Sequence, residues 1–170
     1  DDASIKKWEH YPQGDIFDFQ TRSQYYYHSH REGEYGHFHT FIYQLGLLDE
    51  APVWDGSVEE KDYLHIIGVS TDSQGRVTSL FITNLWVTGG KWLSKDDLKQ
   101  AVSKFSISHA KPSWPTNQWL TEVLKHYLPQ IEKLYEERDL VIQKYKEEYP
   151  SSDPLTDRSL EILAEISIPS

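Results

Sequence analysis

Histidine carries the candidate chemistry of this sequence. The chain holds eight, and five of them fall between positions 28 and 65. Two pairs are spaced i, i+2: His28-Ser29-His30 and His37-Phe38-His39. On a β-strand, residues i and i+2 project from the same face. The polar stretch Arg31 to Gly36, with Gly33 inside it, reads as a hairpin connection between two aromatic-rich strands. A symmetric register across it sets His30 opposite His37 and His28 opposite His39. The four rings then form a rectangle of about 5 Å by about 7 Å on one face. Imidazole nitrogens reaching inward from such corners can hold a metal at about 2.1 Å. His28, His30, His37 and His39 are therefore the candidate metal ligands. A slip of one residue would send the two pairs to opposite faces and break the site.

Glu34, in the connection, could be a carboxylate ligand, a partner for an imidazole N–H, or a general base acting on bound water. Across a second hairpin, His65 is expected opposite Ile82, with Asn84 diagonal to it. Should that hairpin lie beside the first, His65 and Asn84 would complete the pocket, as catalytic or substrate-contacting groups alongside Glu34. The competing reading is an aromatic sheet whose histidines bond one another and nearby tyrosines. His10, His109 and His126 each stand alone on a turn or helix and read as structural or exposed.

The chain has no cysteine, which excludes thiolate zinc sites, iron–sulfur clusters, c-type haem attachment and cysteine nucleophiles. It also has no methionine, which argues against a copper(I) carrier. The expected cofactor is a divalent transition metal: iron, zinc, copper, nickel or manganese. An open coordination position would support water activation or oxygen chemistry. The aromatic residues around the histidines read as sheet packing, with Tyr26 on the histidine face as a possible source of a proton or a radical. Trp86 and Trp92 read as core, with the walls of a ligand pocket as the alternative. Arg138-Asp139 reads as an exposed neighbouring pair, with a charge pair buried against the sheet as the alternative.

The elements that must position these groups are expected as α+β. Strands are read at Asp15 to Phe19, Ser23 to His30, His37 to Tyr43, Tyr63 to Thr71 and Arg76 to Val87. This antiparallel sheet of about five strands would be packed by C-terminal helices. Ser94-Lys95-Asp96-Asp97 looks like an N-cap with an acidic first turn. A long helix from Thr116 or Asn117 holds Pro129, which should kink or split it. A last helix is expected over Asp157 to Glu165. The whole, 1–170, reads as a single domain, with a β-sheet half at 15–87 and a helical half at 94–165.

Composition narrows the partners. Seventeen Lys+Arg against 27 Asp+Glu give a net charge of −10. An isoelectric point near 5.2 disfavours nucleic acid and anionic membrane surfaces. No apolar run of about 18 residues is present to span a bilayer. A small-molecule substrate is the expected partner, and a homodimer is compatible with the aromatic sheet. Export to the periplasm and residence in the cytoplasm are both left open.

The run YYYHSHREGEYGHFHTF, the later YLHIIGVSTDSQGRVTSLFITNLWVTGGKW and the ERD in the helical tail resemble an uncharacterised bacterial domain-of-unknown-function family, over roughly His10 to Asp139. The resemblance implies one domain and no activity. A second, local resemblance is to the first metal motif of cupins, H-x-H-x(3)-E, met by His28, His30 and Glu34. It implies those three as ligands and His65 as a fourth. The second cupin motif is missing, and the helical half is too large for that family. The residues together point to a metal-binding protein, read as a small-molecule metalloenzyme of the oxidoreductase or hydrolase type. The alternatives are a non-catalytic metal- or haem-binding module and an interaction domain with structural histidines.

Overall fold

The computed structural model describes residues 9–30, 35–50 and 62–169. Six antiparallel strands form one sheet in sequential order: β1 (Tyr11–Asp18), β2 (Ser23–His28), β3 (His37–Tyr43), β4 (Tyr63–Thr71), β5 (Val77–Thr83) and β6 (Ile162–Ser167). Helices α1 (Leu85–Thr88), α2 (Lys95–Lys104), α3 (Trp114–His126) and α4 (Leu128–Glu148) lie between β5 and β6. The α+β class holds. A single sequential sheet is not the two-sheet jelly roll of cupins, so that likeness stops at the local motif.

Several expectations change. The strand expected over Arg76 to Val87 ends at Thr83, and Leu85 to Val87 belong to α1, capped by Asn84. The segment Asp157 to Glu165 does not end the chain in a helix; it leads into β6, which pairs with β5 through Ile82↔Ala164 and Leu80↔Ile166. Ile162, Ile166 and Ile168 suit a pleated surface, and the open edge of β5 supplies the backbone partners that decide the matter. The long helix is split into α3 and α4, one of the two outcomes expected for it. Tyr127 breaks the helical path at φ −93°, ψ 14°, and Pro129 sits in the first turn of α4, where its missing N–H removes no bond.

Alternation along the strands gives the sheet two different faces. Phe38, Thr40 and Ile42 of β3 point one way, and His37, His39 and Phe41 the other. The first face joins Tyr25, Ile42, Val69, Leu80 and Ile82 to Leu98, Phe105, Leu120, Leu124 and Ile131 of the helical half in one core. The Ser94 hydroxyl accepts the Asp97 N–H at 3.1 Å and caps α2 as expected. Asp18 ties the sheet edge to the helical half: its carboxylate accepts from the Ser108 N–H and hydroxyl, both at 2.6 Å. No described helix is long and apolar enough to cross a membrane.

Candidate metal centre

The histidine site is built on the sheet face opposite the core that α2, α3 and α4 cover, and α1 adds Trp86 to its lining. Its register differs from the symmetric expectation by two residues. His28 pairs with His37, and Tyr26 with His39. A shift of two preserves the faces, so the pairs stay together. The reason is that β2 ends at His28, leaving Ser29 and His30 outside the ladder. Gly36 packs directly on the end of β2: a Cβ there would lie 2.1 Å from the His28 carbonyl oxygen. Glu34, Arg31 and Glu32 lie outside the described residues.

The imidazoles converge. His28 Nε2 lies 2.9 Å from His37 Nε2 and 3.2 Å from His30 Nε2. His28, His37 and His39 each offer a nitrogen within 4.8 Å of the other two, an arrangement able to hold a metal ion. Two nitrogens flanking a tetrahedral ion at about 2.1 Å would be about 3.4 Å apart. To admit one, the close His28–His37 pair would open by a few tenths of an ångström, and separations of up to 4.8 Å in the triad would close by up to about 1.4 Å. A ring nitrogen carries either one hydrogen or one lone pair, so His28 Nε2 can bond one of its two neighbours well, not both. An ion would take a lone pair from each of His28, His37 and His39, the three whose nitrogens converge.

His65 reaches this face through a β-bulge. His39 pairs with Gly68, Thr40 with Ile67, and Phe41 with His65, so Ile66 is an extra residue in β4. The extra residue reverses the alternation. Ile66 and Ile67 both enter the core, and His65 joins the histidines, with its Nε2 at 3.0 Å from His39 Nδ1. Its other nitrogen faces Thr83 Oγ1 at 3.4 Å. Thr83 thus takes the place expected for Ile82 and Asn84. Asn84 is fully buried elsewhere: its Oδ1 accepts the Leu85 N–H and its Nδ2 donates to the Pro154 and Leu160 carbonyls. It caps α1 and anchors the approach to β6.

Burial favours the neutral form of His28, His37, His39 and His65. It pushes His28 down to about 4, with the neighbouring His30 and His10 adding to the effect. His37 falls to about 3 for the same reason, helped by His28, His30 and His65. His39, 2 % exposed, is held well below the ordinary histidine range by burial and then by His65. His65 falls to about 3 through burial and the Arg138 charge. Arg138 is itself buried, in line with the alternative reading of its pair and not with the exposed one: its guanidinium lies 4.1 Å from the Trp92 and Tyr135 ring centres and donates to the Leu93 carbonyl. Neutral imidazole is the form that ligates a metal.

The cluster opens into a cavity of about 540 Å³ whose lining includes Tyr26, Phe81, Trp86, Glu161 and Glu165. His10 is there too, against the expectation that it stands alone. Its ring stacks on Tyr26 at 3.9 Å and meets the edge of His28, and its Nδ1 contacts Asp15 Oδ1 at 2.7 Å. A break in the β1–β2 register between Tyr11 and Ile16, with Gly14 at φ +81°, sets Asp15 in place. Gln24 Nε2 donates to its other oxygen at 2.5 Å. An isolated glycine in a strand is the one sequence signal for such an irregularity. Glu161 and Glu165 were hidden by reading their segment as a helix. His109 is structural, bonded to the Phe17 carbonyl at 3.2 Å.

A family model of unknown function, DUF6969, matches residues 1–168. The chain belongs to that family. No curated protein and no solved structure matches it. The DUF6969 match covers the histidine strands and the helical half alike, and it assigns no activity to either.

Proposed function

We propose that this protein binds one divalent transition metal through His28, His37 and His39, with His30 as a further ligand, and uses it on a small-molecule substrate. The observation that carries the reading is the convergence of one nitrogen each from His28, His37 and His39, with His28 Nε2 in contact with both His37 Nε2 and His30 Nε2, a geometry that hydrogen bonds alone satisfy poorly. An all-imidazole donor set suits zinc, copper, nickel and iron better than manganese, which favours oxygen ligands. The cavity volume falls in the range of small-molecule sites. His10, held by Asp15 at its rim, is an imidazole of the kind that moves protons in hydrolysis, and that pairing favours a hydrolase over an oxidoreductase. Glu34 remains a second candidate base, and His65 a group that supports the ligands.

Elemental analysis of untagged protein purified without chelator tests the reading. Near-stoichiometric metal, or its uptake on reconstitution, is expected, with loss in His28→Ala and His37→Ala. Less than about a tenth of an equivalent of every transition metal after reconstitution overturns it.

One observation favours a different reading. His28 with His37, and His39 with His65, already lie at hydrogen-bonding distance from each other. That suits an interaction domain with structural histidines, or a module that carries metal or haem without catalysis. A Soret band would mark haem, and a metal-free wild type with full stability would favour the structural role.

A further inference from the structure

We infer that Thr83 and His65 form a positioning chain that engages His39 at Nδ1 and orients its ring, so that His39 meets the metal through Nε2. The inference rests on the metal reading above and adds to it which nitrogen binds and what orients it. His39 Nδ1 is engaged by His65 Nε2 at 3.0 Å, and His65 Nδ1 faces Thr83 Oγ1 at 3.4 Å. Hydrogens can run along this chain in two directions. In one, Thr83 Oγ1 accepts the His65 Nδ1–H, His65 Nε2 accepts the His39 Nδ1–H, and His39 Nε2 is left with a lone pair. In the other, the Thr83 hydroxyl donates and every hydrogen shifts, so that His39 Nε2 carries a hydrogen and cannot ligate. Only the first direction serves a metal.

The fold places both residues for this task. The extra residue Ile66 turns His65 out of the core, where unbroken alternation would have put it, and onto the histidine face. Bulges of this kind commonly re-aim a side chain beside a functional site. Thr83 is the last residue of β5, 6 % exposed, so its hydroxyl meets little competing water. A group hydrogen-bonded to a metal ligand, the place His65 takes, typically accounts for about 10–100-fold in metal affinity, and Thr83 acts one hydrogen bond further out.

The test uses the full chain and two probes, zinc for affinity and cobalt(II) for its visible spectrum. His65→Phe should weaken zinc about 10–100-fold, and Thr83→Val about 10-fold, each with a shifted cobalt spectrum. Thr83→Ser, which keeps the hydroxyl, should restore both readouts. Should His65→Phe fail to fold, the Thr83 pair decides alone. Wild-type affinity and spectrum in Thr83→Val overturn the inference, and so does an equal loss in Thr83→Ser, which would mark packing of the methyl group. Either result leaves the metal reading standing. A wild type that takes up neither zinc nor cobalt overturns the metal reading itself, and the positioning chain with it.

Discussion

The same strands build two faces that obey different rules. Toward the helices, β3 contributes Phe38 and Ile42 and β5 contributes Leu80 and Ile82, residues that need only shape and dryness. Away from them, the same strands contribute His37, His39, Phe41, Phe81 and Thr83. Several of these are as buried as the core: His39 is 2 % exposed and Phe81 6 %. Burial on the first face is its own stabilisation, through apolar area removed from water. On the second it holds polar rings in a dry place where they stay neutral and can meet. One sheet therefore separates the work of folding from the work of the site.

The largest effect that separates the faces is a core deletion. Leu80→Ala, at a fully buried core position, should cost about 2–5 kcal/mol in urea unfolding. The folded fraction should still take up metal; loss of uptake by that fraction would mean the faces are not separable. The next effect is pH. With folded values near 4, 3 and 3, His28, His37 and His65 bind protons more weakly folded than unfolded. Stability of the metal-free protein should be full above the unfolded value of about 6.5 and fall as pH drops toward the folded values. By pH 5.5 each histidine can remove up to about 1.4 kcal/mol, so the total reaches a few kcal/mol. In a variant with His28, His37 and His65 replaced by Phe or Leu, that slope should flatten. An unchanged slope would place the acid sensitivity elsewhere.

How much of this was legible depended on which physical rule governed each part. The i, i+2 spacing of the histidines and the glycine-bearing connection were enough to set four imidazoles on one face, because strand alternation is geometric and local. The register was off by two residues, since where β2 ends depends on how Gly36 packs on the His28 carbonyl, a contact no local pattern encodes. The face of His65 could not be read, because the Ile66 bulge is chosen by the core that receives both isoleucines. The segment leading into β6 looked helical on its own, and only the unpaired edge of β5 makes part of it a strand. His10 looked solitary because its partners, Asp15 and Tyr26, meet it through an irregular edge. Local rules gave elements and faces, whereas non-local pairing set registers and completed the site.

Two smaller changes sharpen the contrast. Gly68 lies on the histidine face between His39 and Phe81, and a Cβ there would stand 2.3 Å from the Phe81 ring. That ring packs edge-on against His37 and His39, at centroid distances of 5.0 and 5.7 Å. Gly68→Ala should therefore cost about 1–3 kcal/mol by overpacking and also alter the cobalt spectrum, because the displaced ring pushes on two ligands. A stability loss with an unaltered spectrum would show that Phe81 packs beside the histidines without setting their positions. Ser94→Ala is the counterpart on the helical side. It removes the cap of α2, where the hydroxyl accepts from the Asp97 N–H, and should cost about 1 kcal/mol in thermal unfolding. Metal uptake and spectrum should not move, because α2 packs only on the opposite face. A spectral change from so remote and small a loss would mean that strain crosses the sheet, and the two faces would have to be treated as one coupled unit.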